Sequence, residues 1–423
     1  MKKLFVIAMI LVIASGLYAG GQQEESKTDE PAKLVMAIWG GDSDVAAVNK
    51  MLSSVENSLE GIEVEVLLLA DFDKTITTRI VGGQQIDIMA VAESVHQFSS
   101  RNQLVSLNDL IEDEKLDMAK RFGANRNLYA RDGEIFALPL RGGPMVVYCN
   151  MDLLEEKPGV DWTFEQFAEA AVKAYKKGGT TAQTQWGFVP AGNGTWWPWY
   201  TSFIYAAGGS ILDDAGNPNF DDPATIAGLK NYVSFIHETQ VGPSPLEMSD
   251  IGQTSPDPVF NSGKAAMITT GWWNVGSLQD ADFNWDVAPI PNGKGNGTVM
   301  FGQGLAVTSV SENKKAAFKV IEALTSVTAQ ESIVASKWDI PSNVEVLSSD
   351  LFLNADWSSN KIDMGAVADA ISKGAISLPY NPDWNQMHDV IGNVINEVLS
   401  GNVAVNEAAV RIQQELNSQV FTD

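Results

Sequence analysis

The chain has 423 residues, 45% of them hydrophobic and 19% charged, more than one core needs, so two lobes are expected. Its 53 acidic residues against 28 basic ones leave a formal net charge of −25. Phosphate binding needs a basic footprint, so this balance argues against a nucleic-acid partner and against docking on an anionic membrane surface.

In chain order, Met1-Lys2-Lys3 gives a positive start, and Leu4 to Ala14 is an unbroken apolar run too short to span a bilayer. Small residues follow, so residues 1–19 read as a signal peptide cleaved after Ala19, and 20–32 as a flexible polar leader. With no cysteine nearby, the expected product is a soluble, non-lipidated, monomeric protein of the periplasm. The single cysteine, Cys149, cannot form an intrachain disulfide, and its neighbours Val146, Val147 and Tyr148 place it on a buried strand.

Lys33 to Trp39 reads as a strand, and Asp44 as the N-cap of a helix carrying Val45, Val48, Leu52, Val55 and Leu59 on one stripe. Ile62 to Leu69 is a second strand. A helix with Phe72, Ile76 and Ile80 follows, closed by Gly82-Gly83, and Ile86 to Val91 is a third strand. Strand and helix alternating in this way predict a parallel, doubly wound sheet, whose ligands sit at the carboxyl ends of the strands. Further on, Thr163 and Gln166 form a capping box, and Asp222-Pro223 opens another helix. Trp384 to Leu399 and Val405 to Leu416 read as two amphipathic helices.

Two constellations carry chemistry. Trp196-Trp197-Pro198-Trp199-Tyr200 and Gly271-Trp272-Trp273-Asn274 set large rings beside Gly and Pro. Indole faces stack on the apolar C–H faces of pyranose rings, and adjacent tryptophans cannot both point the same way in an extended segment. Asp42, Asp71, Glu93, Arg141 and Gln303 stand at predicted strand ends or beside glycines, where they suit recognition of hydroxyls. Enzyme motifs come up short. Gly302-Gln303-Gly304 is half a dinucleotide fingerprint, Asn261-Ser262-Gly263-Lys264 lacks the first glycine of a phosphate loop, and Asp213 to Asn217 reads as a tight turn rather than a calcium loop. No His/Cys metal spacing is present, so neither metal nor cofactor is expected.

The order of motifs resembles the family 1 extracellular solute-binding proteins, the group that includes maltose-binding protein. Gly133-Glu134-Ile135-Phe136-Ala137-Leu138-Pro139 is followed by Tyr148-Cys149-Asn150-Met151-Asp152-Leu153-Leu154 and by Trp162-Thr163-Phe164-Glu165-Gln166-Phe167. Gly208-Gly209, Phe260-Asn261-Ser262-Gly263-Lys264-Ala265-Ala266-Met267, Gly271-Trp272-Trp273 and Pro289-Ile290-Pro291 complete the series. Cys149 stands where the family has an aromatic residue, and Ile86-Asp87 where it has Pro-Asp.

The resemblance implies an α/β, two-lobed periplasmic-binding-protein fold with a hinge and an interlobe ligand cleft. Lobe one would comprise residues 33–142 plus 299–340, and lobe two 143–298 plus 341–423. It implies the substrate-binding subunit of an ABC importer, not an enzyme, that closes on a carbohydrate and delivers it to permease subunits. A binding protein for a polyol or sugar phosphate, and a secreted glycoside-acting enzyme, stay as alternatives. The implied ligand contacts are Trp39, Asp42, Glu93, Arg141, Trp197 or Trp199, Trp272 or Trp273, Gly302, Gln303 and Trp384.

Overall fold

The computed structural model describes residues 31–422 apart from 157, 160, 195–197, 292, 296, 358–363, 365, 366, 368–375, 379 and 380. The expected signal peptide, nearly all of the leader, and Trp197 therefore lie outside the described residues.

Strand β1 (Ala32–Ile38), helix α1 (Asp42–Ser54), β2 (Ile62–Leu68), α2 (Phe72–Val81), β3 (Ile88–Val91) and α3 (Val95–Ser100) follow the expected alternation. β1 pairs in parallel with β2 on one edge and with β3 on the other. Asp44 does not cap α1. Gly41 holds that position in an extended conformation, and Asp44 at the third helical residue reaches back to accept the Gly41 N–H at 2.9 Å.

A short hairpin of β4 (Ala130–Arg131) and β5 (Glu134–Ile135) leads into the longest strand, β6 (Leu138–Asn150). β7 (Trp186–Phe188), β8 (Ala265–Gly271), β9 (Trp285–Ala288) and β10 (Val299–Val307) complete the main sheet, whose order is β2-β1-β3-β10-β6-β8-β7. β9 pairs with β6 off this path, and the short strand Ile376–Ser377 pairs with β10. The sheet is mixed rather than parallel throughout. β10 runs antiparallel to both β3 and β6, and β6 antiparallel to β8, because β6 and β10 carry the chain between the two halves in opposite directions.

Burial divides the molecule into two lobes along these strands. Leu138 and Leu140 of β6 and Leu305 to Val307 of β10 lie in one core with Met36, Ile88 and Phe318. Beyond the crossing, β6 serves two cores by its period of two: Met145, Val147 and Cys149 face one with Phe167, Phe203 and Ile391, while Val146 and Tyr148 face another with Phe260 and Trp272. Val299 and Phe301 pack in the core that holds Phe167, so β10 passes from one core to the other at Gly302 to Gly304. At that crossing a Cβ on Gly142 would fall 2.3 Å from the Phe301 carbonyl oxygen, so only glycine lets the two strands approach this closely.

The second lobe is rich in rings. Phe167 meets Trp162, Phe188 and Phe235 edge-on at centroid distances of 5.2 Å. Its helix, Phe164–Ala174, starts at the expected box: Thr163 accepts the Gln166 N–H at 3.3 Å and Gln166 accepts the Thr163 N–H at 2.8 Å. The helix Pro223–His237 begins with Asp222 accepting two backbone N–H groups and proline in the first turn. Cys149 is buried on β6 and forms no disulfide.

Candidate functional site

A cleft of about 1580 Å³ lies where the two lobes meet. One wall is built at the carboxyl ends of β1, β2 and β3, where the alternating sequence directs a ligand. β1 ends at Trp39, whose indole stands edge-on to Phe72 at 5.1 Å. β2 leads to Asp71, held at a left-handed φ of 44°, and to Asp73 in the first turn of α2. β3 leads to Glu93 and Ser94, and the Ser94 hydroxyl donates to Asp73 at 3.3 Å.

Burial governs the charges on this wall. It pushes the Glu93 carboxyl up to about 7; the residue's own backbone N–H opposes the rise and the neighbouring Asp73 charge adds to it. Asp73 is also raised by burial, against hydrogen bonds from Ser94 and Asn385.

The facing wall comes from the second lobe and combines three rings, Trp273 after β8, Phe301 on β10 and Trp384 at the start of the helix Trp384–Leu399, with the polar side chains Asp383, Gln386, His388 and Asp389 around that helix start. Trp273 packs edge-on to Phe301 at 5.6 Å and 85°. Its ring covers Gly271 so closely that a Cβ there would fall 1.8 Å from a ring carbon. Behind it, burial raises the Asp257 carboxyl to about 6, with the neighbouring Thr270 and Trp273 side chains opposing the rise. The walls touch at Asn385, whose backbone N–H donates to Gln97 of α3 at 3.2 Å.

The floor is the strand crossing. Arg141, Gly302 and Gln303 lie there with Trp338 and Asp339.

Of the contacts expected from sequence, Trp39, Glu93, Arg141, Trp273, Gly302, Gln303 and Trp384 line the cleft. Three do not. Asp42 is exposed at the start of α1, and Asp44, one step further round the helix, faces the cleft instead. Trp272 is wholly buried against Trp357, because the segment Trp272–Leu278 turns helical and points the two neighbouring indoles in different directions. Trp199 packs against the second lobe's core. Asp73, Phe301, Trp338, Asp339 and Asn385 were not singled out in the sequence. Asp73 was within reach, since it opens the helix that follows β2; the others sit on segments that only folding brings to the cleft.

The motifs set aside behave as turns and strands. Gly302 to Gly304 lie within β10, Gly263 holds a φ of 73° in a turn, and Asp213 accepts the N–H groups of Ala215 and Asn217. Among the described residues, no cluster of three or more His, Cys, Asp or Glu side chains could hold a metal ion.

Two lobes, shared crossing strands and one walled cleft between them define a two-lobed binding protein of the periplasmic type. Residues 57–331 match the bacterial extracellular solute-binding protein family, and the chain belongs to it. A Streptococcus pneumoniae protein named as a maltooligosaccharide ABC transporter solute-binding lipoprotein is 23% identical over 98% of this chain and 96% of its own length. Two solved structures share the fold. An ABC substrate-binding protein of Listeria monocytogenes in complex with cycloalternan superposes with a TM-score of 0.83 at 23% identity, covering 93% of this chain and all 100% of that one. The maltose/maltodextrin-binding domain of Bdellovibrio bacteriovorus bound to maltotriose gives 0.77 at 18%, covering 92% and 100%.

Proposed function

We propose that this protein captures a carbohydrate outside the cytoplasm and hands it to the permease of an ABC importer, without chemically altering it. The observation that carries this reading is the cleft's combination of rings and polar groups, with indoles Trp273 and Trp384 facing Trp39 and the carboxyl-bearing ends of β1 to β3. The rings cover a sugar's C–H faces, while Glu93, Asp73 and Gln303 meet its hydroxyls. Trp39, Glu93, Arg141, Trp273, Gly302, Gln303 and Trp384 are the proposed contacts.

The cleft of about 1580 Å³ exceeds the ~300–1,000 Å³ typical of a small-ligand site, which favours an oligosaccharide over a single sugar. Relatives named for maltooligosaccharides and maltotriose support α-linked glucose units as the first class to test. The lobes are proposed to divide where the buried cores divide, and the exported protein to be a non-lipidated monomer.

Isothermal titration calorimetry against maltose, maltotriose, maltotetraose, mannobiose and glucose tests the reading. Saturable one-to-one binding of an oligosaccharide that is recovered intact is expected. No binding across a broad carbohydrate panel, or repeated cleavage of a bound sugar, overturns it.

A further inference from the structure

Among the described residues the chain crosses between the lobes three times, and one side chain touches all three crossings. β6 leaves the first core after Leu140, and β10 enters it after Gly304. The third crossing runs from Trp338, in the first core, to Ile340, in the second lobe. Arg141 stands on β6 at this point, with Gln303 of β10 as its register partner. Its Nε donates to Gln303 Oε1 at 2.6 Å, and its Nη1 to Asp339 Oδ2 on the third crossing at 2.5 Å. Its Nη2 lies 3.5 Å from Asp44 Oδ1 on α1, and its guanidinium carbon lies 4.2 Å from the centroid of the Trp338 ring. Trp338 in turn donates to the same Asp44 oxygen at 2.9 Å.

The backbone repeats the connection. Gly142 N–H donates to the Ile340 carbonyl at 3.0 Å, and Arg141 bridges to Pro341. Arg141, Gln303 and Asp339 are all buried.

We propose that Arg141, with Asp339 and Gln303, is a positioning group that sets the angle between the lobes before any ligand arrives. A guanidinium holds its donors in a fixed planar fork, so it satisfies partners on separate segments only over a narrow range of their relative orientation. Rotation of one lobe against the other moves β6, β10 and the Trp338–Ile340 segment relative to each other. Once the fork's geometry is lost, a buried charge is left without its partner. Arg141 thus restricts the hinge whether or not its remaining N–H groups also meet the ligand. The inference needs the two-lobed fold but not the carbohydrate reading.

Paired spin labels on the ligand-free protein test it, at the exposed positions Glu60 of the first lobe and Val172 of the second. Arg141→Lys and Asp339→Asn should each at least double the width of the interlobe distance distribution. The double variant should widen it no further, because both changes undo one fork. Affinity for maltotriose, if that sugar binds, should fall about tenfold while saturation is kept. Unchanged widths in variants that retain wild-type circular dichroism overturn the proposal. If the variants fail to fold, hydrogen exchange on the wild-type protein decides: segments 140–143, 302–304 and 338–341 should exchange as one unit, and independent exchange overturns the proposal. Failure of every sugar to bind, with the widths changing as expected, removes the carbohydrate reading and leaves the hinge role standing.

Discussion

The two walls of the cleft are made of different matter. The first-lobe wall is the rim of a sheet: strand ends, helix starts, and carboxyl groups raised by burial, with Trp39 and Phe72 as its rings. The second-lobe wall sets the edge of a hydrophobic core beside the polar start of the helix Trp384–Leu399. Trp384 and Phe301 are core residues that also reach the ligand space, and Trp273 leans on both Phe301 and Gly271. On the first wall, function and folding use mostly different side chains. On the second, the rings Trp273, Phe301 and Trp384 serve both, so substitutions of these rings should disturb stability and binding together.

The largest effect should come from Trp384→Ala. Removing a buried indole costs about 3–5 kcal/mol, and the ring is only 5% exposed. Urea unfolding should show that loss, with weaker sugar binding beside it. A stability change well under 1 kcal/mol would break the idea that this wall is core.

Glu93 gives the contrasting case. Its folded carboxyl sits at about 7 against an ordinary 4.5, so the folded protein favours the neutral form. The stability this contributes is complete below about pH 4.5 and is lost as the pH rises toward 7. Across pH 5 to 8 the loss is on the order of 2–3 kcal/mol, at about 1.4 kcal/mol per unit. Denaturation at both pH values should show a drop of that order in the wild type and a smaller one in Glu93→Gln. An identical drop in both would place the titration elsewhere.

Trp273→Ala should weaken binding of the captured sugar by about 2 kcal/mol, roughly 30-fold, as other aromatic anchors do. Gly271→Ala sharpens the same point without touching the ring's chemistry, since the added methyl must push the indole from its place. Calorimetry of the two variants should therefore show losses of similar size. The smallest effect is a control remote from both walls: Thr163→Ala removes the helix cap and should cost about 1 kcal/mol of stability with sugar affinity unchanged.

Much of this frame was legible in the residue order. The alternation from β1 to β3 could be read because helix and strand periods differ and the glycines between them are unambiguous punctuation. The helix Trp384–Leu399 has the bounds its apolar stripe implies, and Thr163 and Asp222 cap the helices they were expected to cap. These are local properties, set by residues within a turn or two of each other. The strand-end rule carried the reading as far as Trp39 and Glu93, because the end of a strand is a local feature too.

What folding alone decided is everything that depends on which distant segments meet. Trp272 and Trp273 are chemically the same, and only the turn at Gly271 and the cores around it send one inward to Trp357 and the other to the cleft. Arg141 reads in sequence as a charge at a strand end. Its partners Gln303 and Asp339 lie 162 and 198 residues away, and no local pattern records that the three crossings converge on it. Local propensity and periodicity act over a few residues, whereas the cleft and its hinge are set by long-range packing of strands whose meeting the sequence does not spell out.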